Sequence, residues 1–367
     1  MKLLWFSANS IDDMCFTSQR YMAEGLQDSA TDVYFINHDD ETKHRAESWQ
    51  HISIKASKTP GFKSSSLAKN MSAWLRKQSF DSNCVAIVDW RLIAKISSVL
   101  KQYGIPWILL DRSPPADRGF LAKLQWPIWR NAWKLVAKSE VAIGSVVSFS
   151  HQQFVKNKIS IDDSKLVQLP AGVDLEKFTN GKKDENLILI YHGRLDKHRG
   201  VLALPMLIKK AESQNLKINL KLIGQGNCYQ QLSNIAAIEK AIEVYPQMSQ
   251  TELSKHLRTA TIGLLPMPNY KIWTISSPLK RSEYSASGLL IYGIEHNGHK
   301  FADKEVSWMK LAPQHDFHDE AINWIKQLSN ESIADLSAKS RQYAEENLGW
   351  SHTILKLKQA IQSVKRS

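Results

Sequence analysis

The sequence predicts an α/β fold of two doubly wound, parallel-sheet domains. Short apolar segments of strand length alternate with helical segments through both halves of the chain, the pattern of parallel sheets wrapped by helices. At 367 residues the chain exceeds what one ordinary core serves, so two domains are expected. The polar run Gly181-Lys182-Lys183-Asp184-Glu185-Asn186 interrupts the alternation near the middle and marks the boundary. The expected division is residues 1–182, residues 183–345, and a C-terminal helix at 346–367 packing back on the first domain.

The elements follow in order. In the first half KLLWFSAN (2–9), DVYFINHDD (32–40), CVAIVDW (84–90), PWILLDRS (106–113), VAIGSVV (141–147) and KLVQLP (165–170) read as strands. Each is short and apolar. Helical segments fall at 18–29, 67–78 and 91–104, and the Lys-, Ser- and His-rich stretch 41–66 reads as irregular. In the second half strands are expected at 187–192, 218–224, 242–246, 261–267 and 289–294. Helices are expected at 200–214, 227–239, 249–259 and 281–287, then as a pair at 318–329 and 331–365. Sheets of this kind bind ligands at the carboxyl ends of their strands.

Composition narrows the function. No stretch approaches the ~18 apolar residues a membrane span needs, and MKLLWFSANSIDDM has too short an apolar run for a signal peptide. Cys15, Cys84 and Cys228 lie far apart without CxxC spacing, which argues against a disulfide framework or a zinc site and fits a reducing compartment. A net charge of +12 calls for an anionic partner. Nucleic acid is disfavoured, because the basic residues are spread along the chain without a recognised binding module. An anionic membrane surface and phosphorylated small molecules remain.

Three stretches carry chemistry. In LILIYHGRLDKHRG (187–200) an apolar strand runs into Gly193, which permits a tight turn, and then into Arg194, Lys197 and Arg199 ahead of a helical run. Helix-start N–H groups with guanidinium groups make a natural anion site; the alternative is an ordinary loop with solvated charges. LIGQGN (222–227) repeats the order of strand, glycine-rich turn and helix, a pattern usually structural when alone. SSPLKRSEYSASG (276–288) suits a helix start, with serine as cap and proline in the first turn. Its N–H groups and Lys280 could take a diphosphate, and Glu283 could accept two ribose hydroxyls or simply lie solvated.

In order and spacing these stretches resemble the family 4 retaining glycosyltransferases of GT-B fold, from about Val141 onward. LPAGVDLEKF (169–178) is similar to the family's P-x-GVD-x-x-x-F entry to the C-terminal domain. His192-Gly193-Arg194-Leu195 with Arg199-Gly200 resembles GRL-x-x-x-KG, and Leu222-Ile223-Gly224-Gln225-Gly226 resembles hLIGxG. Glu283 to Gly288 resembles E-x-x-A-x-G, and AEENLGW (344–350) the closing segment.

The resemblance implies two Rossmann-like domains facing across a cleft and transfer of a hexose from a nucleotide-diphosphate sugar with retention. It implies that Arg194 and Arg199 clamp the donor diphosphate and that Glu283 holds the nucleotide ribose; these are the expected catalytic residues. Gly193, Gly224, Ser276, Ser277 and Lys280 complete the expected donor site. The family usually has lysine where Arg199 stands, and arginine keeps the charge with a different geometry. The family's first glutamate falls on Ile275, which cannot hydrogen-bond, so its contact must come from Ser276, Ser277 or backbone N–H groups. Fixed cations stabilise a departing diphosphate as its charge develops, so no metal is expected, and no cofactor beyond the donor substrate. Asp12-Asp13 and Asp39-Asp40 read as a helix cap and a strand-end turn rather than a metal-binding pair. Retention in the family is thought to proceed by front-face attack, so no covalent catalyst is assigned.

The N-terminal domain is expected to bind acceptor, with Asn9, Asp13, Asp111, Arg112 and His151 as candidates. Its first loop, residues 7–13, lacks the family's usual glycine pair. In GFLAKLQWPIWRNAWKLVAK (119–138), Trp126, Trp129 and Trp133 recur at helical spacing beside Lys123, Arg130, Lys134 and Lys138, and Pro127 would break or start the helix. Such a helix suits an anionic membrane interface; the alternative is a core-facing aromatic stripe with a solvated basic back. The expected protein is a cytoplasmic enzyme, peripheral on the inner face of the cell membrane. It would act on a glycan or lipid-linked acceptor in cell-surface polysaccharide or glycoconjugate biosynthesis. Transfer to a small soluble acceptor, or nucleotide-sugar binding without turnover, are the alternatives.

Overall fold

The structure, a computed structural model, describes residues 1–13, 16–40, 48–59, 61–80, 83–115, 120–184, 186–301 and 305–366, with backbone alone at 120–122 and 366. The chain forms two compact units, Met1–Pro170 with Trp350–Ser367, and Ala171–Gly349.

The first unit is built on seven strands: β1 (Lys2–Phe6), β2 (Asp32–Asn37), β3 (Gln50–Ser53), β4 (Cys84–Asp89), β5 (Trp107–Leu110), β6 (Ala142–Val146) and β7 (Leu166–Gln168). They form one parallel sheet in the order β3-β2-β1-β4-β5-β6-β7. Every residue of β4 is buried, as a central strand covered on both faces requires, and its sequence CVAIVD is accordingly near-continuously apolar. The strand order reverses between β1 and β4, which opens a crevice at their carboxyl ends.

The second unit has six parallel strands: β8 (Leu187–His192), β9 (Ile218–Ile223), β10 (Ile242–Tyr245), β11 (Ile262–Leu265), β12 (Leu290–Ile294) and β13 (Met309–Ala312). Their order is β10-β9-β8-β11-β12-β13, with the reversal between β8 and β11. Alternating side chains feed two cores. Leu189, Tyr191, Leu220, Leu264 and Tyr292 lie in one, while Ile188, Ile190, Ile223, Leu265 and Ile291 lie in the other.

The division between the units departs from the expected one. It falls at Pro170–Ala171 rather than in the polar run 181–186, because Val173 and Phe178 are buried in the second unit's core. The Asn180 amide also donates to Ser337 Oγ at 3.3 Å there. The expected helix 331–365 is two helices, Asn330–Asn347 and Trp350–Arg366, interrupted at Leu348-Gly349 where the chain leaves the second unit. The last helix belongs to the first unit. Leu357, Ile361 and Val364 are buried, and the Trp350 ring stacks on Tyr21 at 5.2 Å and 12°.

Other local differences have local causes. The stretch read as irregular at 41–66 contains β3; residues 41–47 and 60 lie outside the described residues. β3 and β13 are edge strands of four residues each, QHIS and MKLA, whose mixed polarity leaves no apolar run to read. The expected helix at 200–214 begins as 3-10 turns at Lys197–Arg199 and Val201–Ala203 and becomes α-helical only at Pro205–Glu212. Proline at the first α-helical position has no N–H to contribute to the preceding turns. The helix Phe120–Lys138 runs through Pro127 without stopping. Pro127 is exposed, so water can reach the carbonyl its missing N–H leaves unpaired. Among the described residues no helix is long and apolar enough to cross a membrane.

Leu357 is fully buried in the final helix. Leu357→Ala is expected to cost about 2–5 kcal/mol of stability, read by urea unfolding of the first unit. A loss under about 1 kcal/mol would show that this helix is not part of that unit's core.

Candidate functional site

The second unit gathers charge at the carboxyl end of β8. Gly193, with φ of 116°, donates to the Ile223 carbonyl at 2.9 Å, and Gly224, with φ of 149°, donates to the Tyr245 carbonyl at 3.0 Å. A Cβ on Gly224 would lie 1.8 Å from the Gly193 oxygen, and one on Gly193 would lie 3.0 Å from Lys280 Nζ. The two glycines thus let neighbouring strand-end loops and a lysine close on one spot, which no side chain would permit.

Asp196 pins the loop that follows. Its Oδ2 accepts from Arg194 Nε at 2.7 Å and its Oδ1 from the Asn227 amide at 3.1 Å. Burial pushes this carboxyl up, but the bonds from Arg194 and Asn227 outweigh it and hold Asp196 below the usual carboxylate value. Arg194 is held at one edge yet keeps 55% of its side chain exposed. Arg199, half-buried on its 3-10 turn, lies over the Trp273 ring with the guanidinium carbon 4.9 Å from the centroid. Lys197 is exposed.

The helix Leu279–Ala286 brings Lys280 and Glu283 to the same place, both nearly buried. Lys280 Nζ stands 5.2 Å from the Tyr191 ring centroid. Burial, aided by Arg199, pulls this lysine down to about 7, with Glu283 opposing. Burial pushes Glu283 up to about 7, with Lys280 opposing. The sequence reading missed His192, whose Nε2 lies 3.2 Å from Glu283 Oε2. Burial, then the charge of Lys280, pushes this imidazole well below its usual value, so it is neutral. Its one sequence signal is that it ends β8 directly before Gly193.

Of the two serines at the helix start, Ser276 has its hydroxyl proton committed, whereas Ser277 serves as an acceptor and keeps its own O–H as a donor. Ser276 Oγ donates to the Trp273 carbonyl at 2.8 Å, and Ser277 Oγ accepts from the Ala171 amide at 3.2 Å. This helix start also presents main-chain N–H groups, which the first turn of any helix leaves without intrahelical acceptors. Ile275 is buried. Nearby, Arg281 lies 4.5 Å over the Phe301 ring and adds a cation, while the buried His299, pushed well below its ordinary value by burial, holds the Ile294 carbonyl through Nδ1 at 2.7 Å. A cluster of cations, some nearly buried and some open to solvent, with N–H donors and one carboxylate is suited to a polyanion that also carries hydroxyls.

The first unit treats its candidates differently. Asp111 is fully buried, and its Oδ2 accepts from Trp129 Nε1 at 2.6 Å and Trp133 Nε1 at 2.9 Å. His151, also fully buried, places Nε2 3.3 Å from the same oxygen. Both are therefore core residues and not acceptor contacts, a correction to the expectation. Arg112 is half-buried and donates to the Leu169 carbonyl at 2.5 Å and to Ser18 Oγ at 3.3 Å. Burial pulls it down to about 10, with Asp111 opposing. Asn9 sits in the crevice of β1 and β4, where its Oδ1 accepts from Arg91 Nη2 at 2.7 Å. Arg91, unread in the sequence, also clamps Asp89 at 2.9 and 2.6 Å. Asp39 Oδ2 accepts from the Ile11 amide at 2.6 Å, so the first loop is tied down without a glycine pair. Asp13 is exposed.

The tryptophan helix faces inward. Trp129 and Trp133 are buried, and Trp126 packs on Trp129 and Phe154 at 5.7 and 6.0 Å. These indoles are not presented to a membrane, as one reading of the sequence had it. The outward residues are Lys123, Arg130, Lys134 and Lys138, with Leu124 and Ile128 exposed among them. Gly119 lies outside the described residues.

Asp111→Ala leaves two buried indole N–H groups without an acceptor and is expected to cost about 2–5 kcal/mol by chemical denaturation. A loss below about 0.5 kcal/mol would free the carboxylate for another role. For Lys280, whose folded value is depressed to about 7, the cost of burying the ammonium is fully present below pH 7. That cost is relieved as pH rises toward lysine's ordinary value of 10.5. Lys280→Met is thus expected to stabilise the ligand-free protein most at and below pH 7, with the gain shrinking by pH 9.5. Urea unfolding at several pH values checks this; a gain that does not fall with pH contradicts it.

The sequence matches no protein-family model and no curated protein. Solved structures do match its fold. Sucrose-phosphate synthase from Thermosynechococcus elongatus aligns at a TM-score of 0.80, with 13% identity over 99% of each chain. Anabaena HepE in complex with UDP aligns at 0.73, with 10% identity over 99% of this chain and 100% of that one. WaaG, a glycosyltransferase involved in lipopolysaccharide biosynthesis, aligns at 0.68, with 13% identity over 98% of each. At these identities the likeness assigns the fold, two Rossmann-like parallel-sheet domains of the GT-B class.

Proposed function

We propose that the chain is a family 4 retaining glycosyltransferase that moves a hexose from a nucleotide-diphosphate sugar to a glycan or lipid-linked acceptor. The observation that carries this reading is the meeting of Arg199, Lys280 and Glu283 around Gly193, where a diphosphate and a ribose diol would each find their partners. In this reading Arg194, Arg199, Lys280 and the helix-start N–H groups take the phosphate oxygens. Glu283 accepts the ribose hydroxyls. As the bond to the anomeric carbon breaks, the departing diphosphate gains negative charge, and cations already in place stabilise it more than they stabilise the bound substrate. The reading needs neither a metal nor a protein nucleophile. The likeness to HepE, solved with UDP, and to WaaG supports it.

On the first unit, the crevice holding Asn9 and Arg91 is the acceptor region in this reading. The exposed Lys123, Arg130, Lys134 and Lys138 with Leu124 and Ile128 suit peripheral attachment to the anionic inner face of the cell membrane, from the cytoplasm. That attachment would bring a lipid-linked acceptor of cell-surface glycoconjugate assembly within reach.

Thermal-shift screening against UDP-, GDP-, ADP- and dTDP-sugars is expected to show stabilisation by one nucleotide series, because a ligand of the folded state raises apparent stability. With that donor, Arg199→Ala and Glu283→Ala are each expected to lower turnover by on the order of 100-fold. Stabilisation by none, or unchanged activity in both variants, would overturn the reading. Failure to bind anionic vesicles at low salt would remove the membrane part alone.

A further inference from the structure

His192 has no place in the donor reading above. It closes β8 directly before Gly193, and its imidazole is nearly buried, as is Glu283 on the helix opposite. Nε2 stands 3.2 Å from Glu283 Oε2, and Tyr284 holds the ring edge-on at 5.2 Å and 88°. Among the described residues Nε2 has no aligned hydrogen-bond partner. A small rotation of either side chain would complete the bond to Glu283.

A carboxylate that accepts both hydroxyls of a vicinal diol must be ionised, since the acid form gives up one oxygen to carrying a proton. Burial works against ionisation, and a donor on the second oxygen works for it. We propose that His192 is a positioning residue whose Nε2–H holds one oxygen of Glu283, keeping the carboxylate ionised and oriented to receive the ribose diol of a nucleoside diphosphate. This assignment rests on the donor reading. The other ionisable groups bearing on the pair are Lys280 and Tyr284 on the helix itself, while Arg199 from the 3-10 turn and His299 from the loop after β12 act on Lys280. Lys280 also favours the ionised form, but it stands against Gly193, where the diphosphate would draw on its charge. With ligand bound, His192 is the donor that stays with the carboxylate.

The test is calorimetric titration of UDP, GDP and ADP, and of their 2′,3′-dideoxy counterparts, into wild type, His192→Ala and His192→Gln from pH 6 to 9. For whichever ribonucleotide binds wild type, His192→Ala is expected to weaken binding about 10-fold at pH 7, the loss shrinking above pH 8 as Glu283 ionises unaided. The dideoxy analogue should bind wild type and His192→Ala within about twofold of each other, and His192→Gln, which keeps an N–H donor, should recover most of the affinity. Unchanged ribonucleotide affinity in His192→Ala overturns the assignment. So does an equal loss with the dideoxy analogue, or a glutamine variant as weak as the alanine one, since either marks general damage to the site. If wild type binds none of the three ribonucleotides, the donor reading itself falls, and the role of His192 falls with it.

Discussion

The candidate site depends on one constraint: a carboxylate and an ammonium, one helical turn apart, are withdrawn from water at the mouth of a parallel sheet. Neither charge is comfortable there, and each is driven toward its neutral form by burial. A fold selected for stability alone would place apolar groups at these positions. The glycines at 193 and 224 make the arrangement possible, because they remove the atoms that would otherwise keep the loops and Lys280 apart. The pinned loop of Asp196 and the Trp273 face beneath Arg199 hold the remaining cations nearby. Destabilised in isolation, this cluster is complementary to a multiply charged, hydroxyl-bearing ligand.

Charged residues gathered near the strand ends thus have two different fates. Glu283 and Lys280 lie in a basic cluster that calls for counter-charge. Asp111 lies at the end of β5 in the first unit, and two indoles consume its charge within the core. Trp129 and Trp133 of the helix Phe120–Lys138 are buried for the same reason: their N–H groups have an internal acceptor, so this aromatic face turns inward and the lysines turn out.

Much of the fold was legible in the sequence because central strands of parallel sheets are apolar throughout. LILIYH and CVAIVD announce themselves, whereas the edge strands QHIS and MKLA do not. That Gly193, Arg199 and Glu283 come together in the candidate site was legible, because spacing along the chain carries it. The site was illegible where contact is made across elements. His192 reads as the end of a strand until the helix bearing Glu283 is laid beside it, and Arg91 reads as a helix-start charge until the loop of Asn9 is in place. Asp111 misled for the converse reason: nothing local shows that Trp129 and Trp133, most of a helix away, will fold back onto it. Ser276 misled likewise, since the Trp273 carbonyl claims its hydroxyl proton.

The route of the chain between the units has an implication for biogenesis. The first unit is discontinuous, because its last helix, Trp350–Arg366, is translated only after all of Ala171–Gly349. The second unit is a single uninterrupted segment and can reach its native state on the ribosome as soon as it emerges. The first must wait, its sheet assembled but with the surface meant for Leu357, Ile361 and Val364 uncovered, until synthesis has passed through its neighbour. For this protein the half made first is the half finished last, and chaperone demand should centre on that interval.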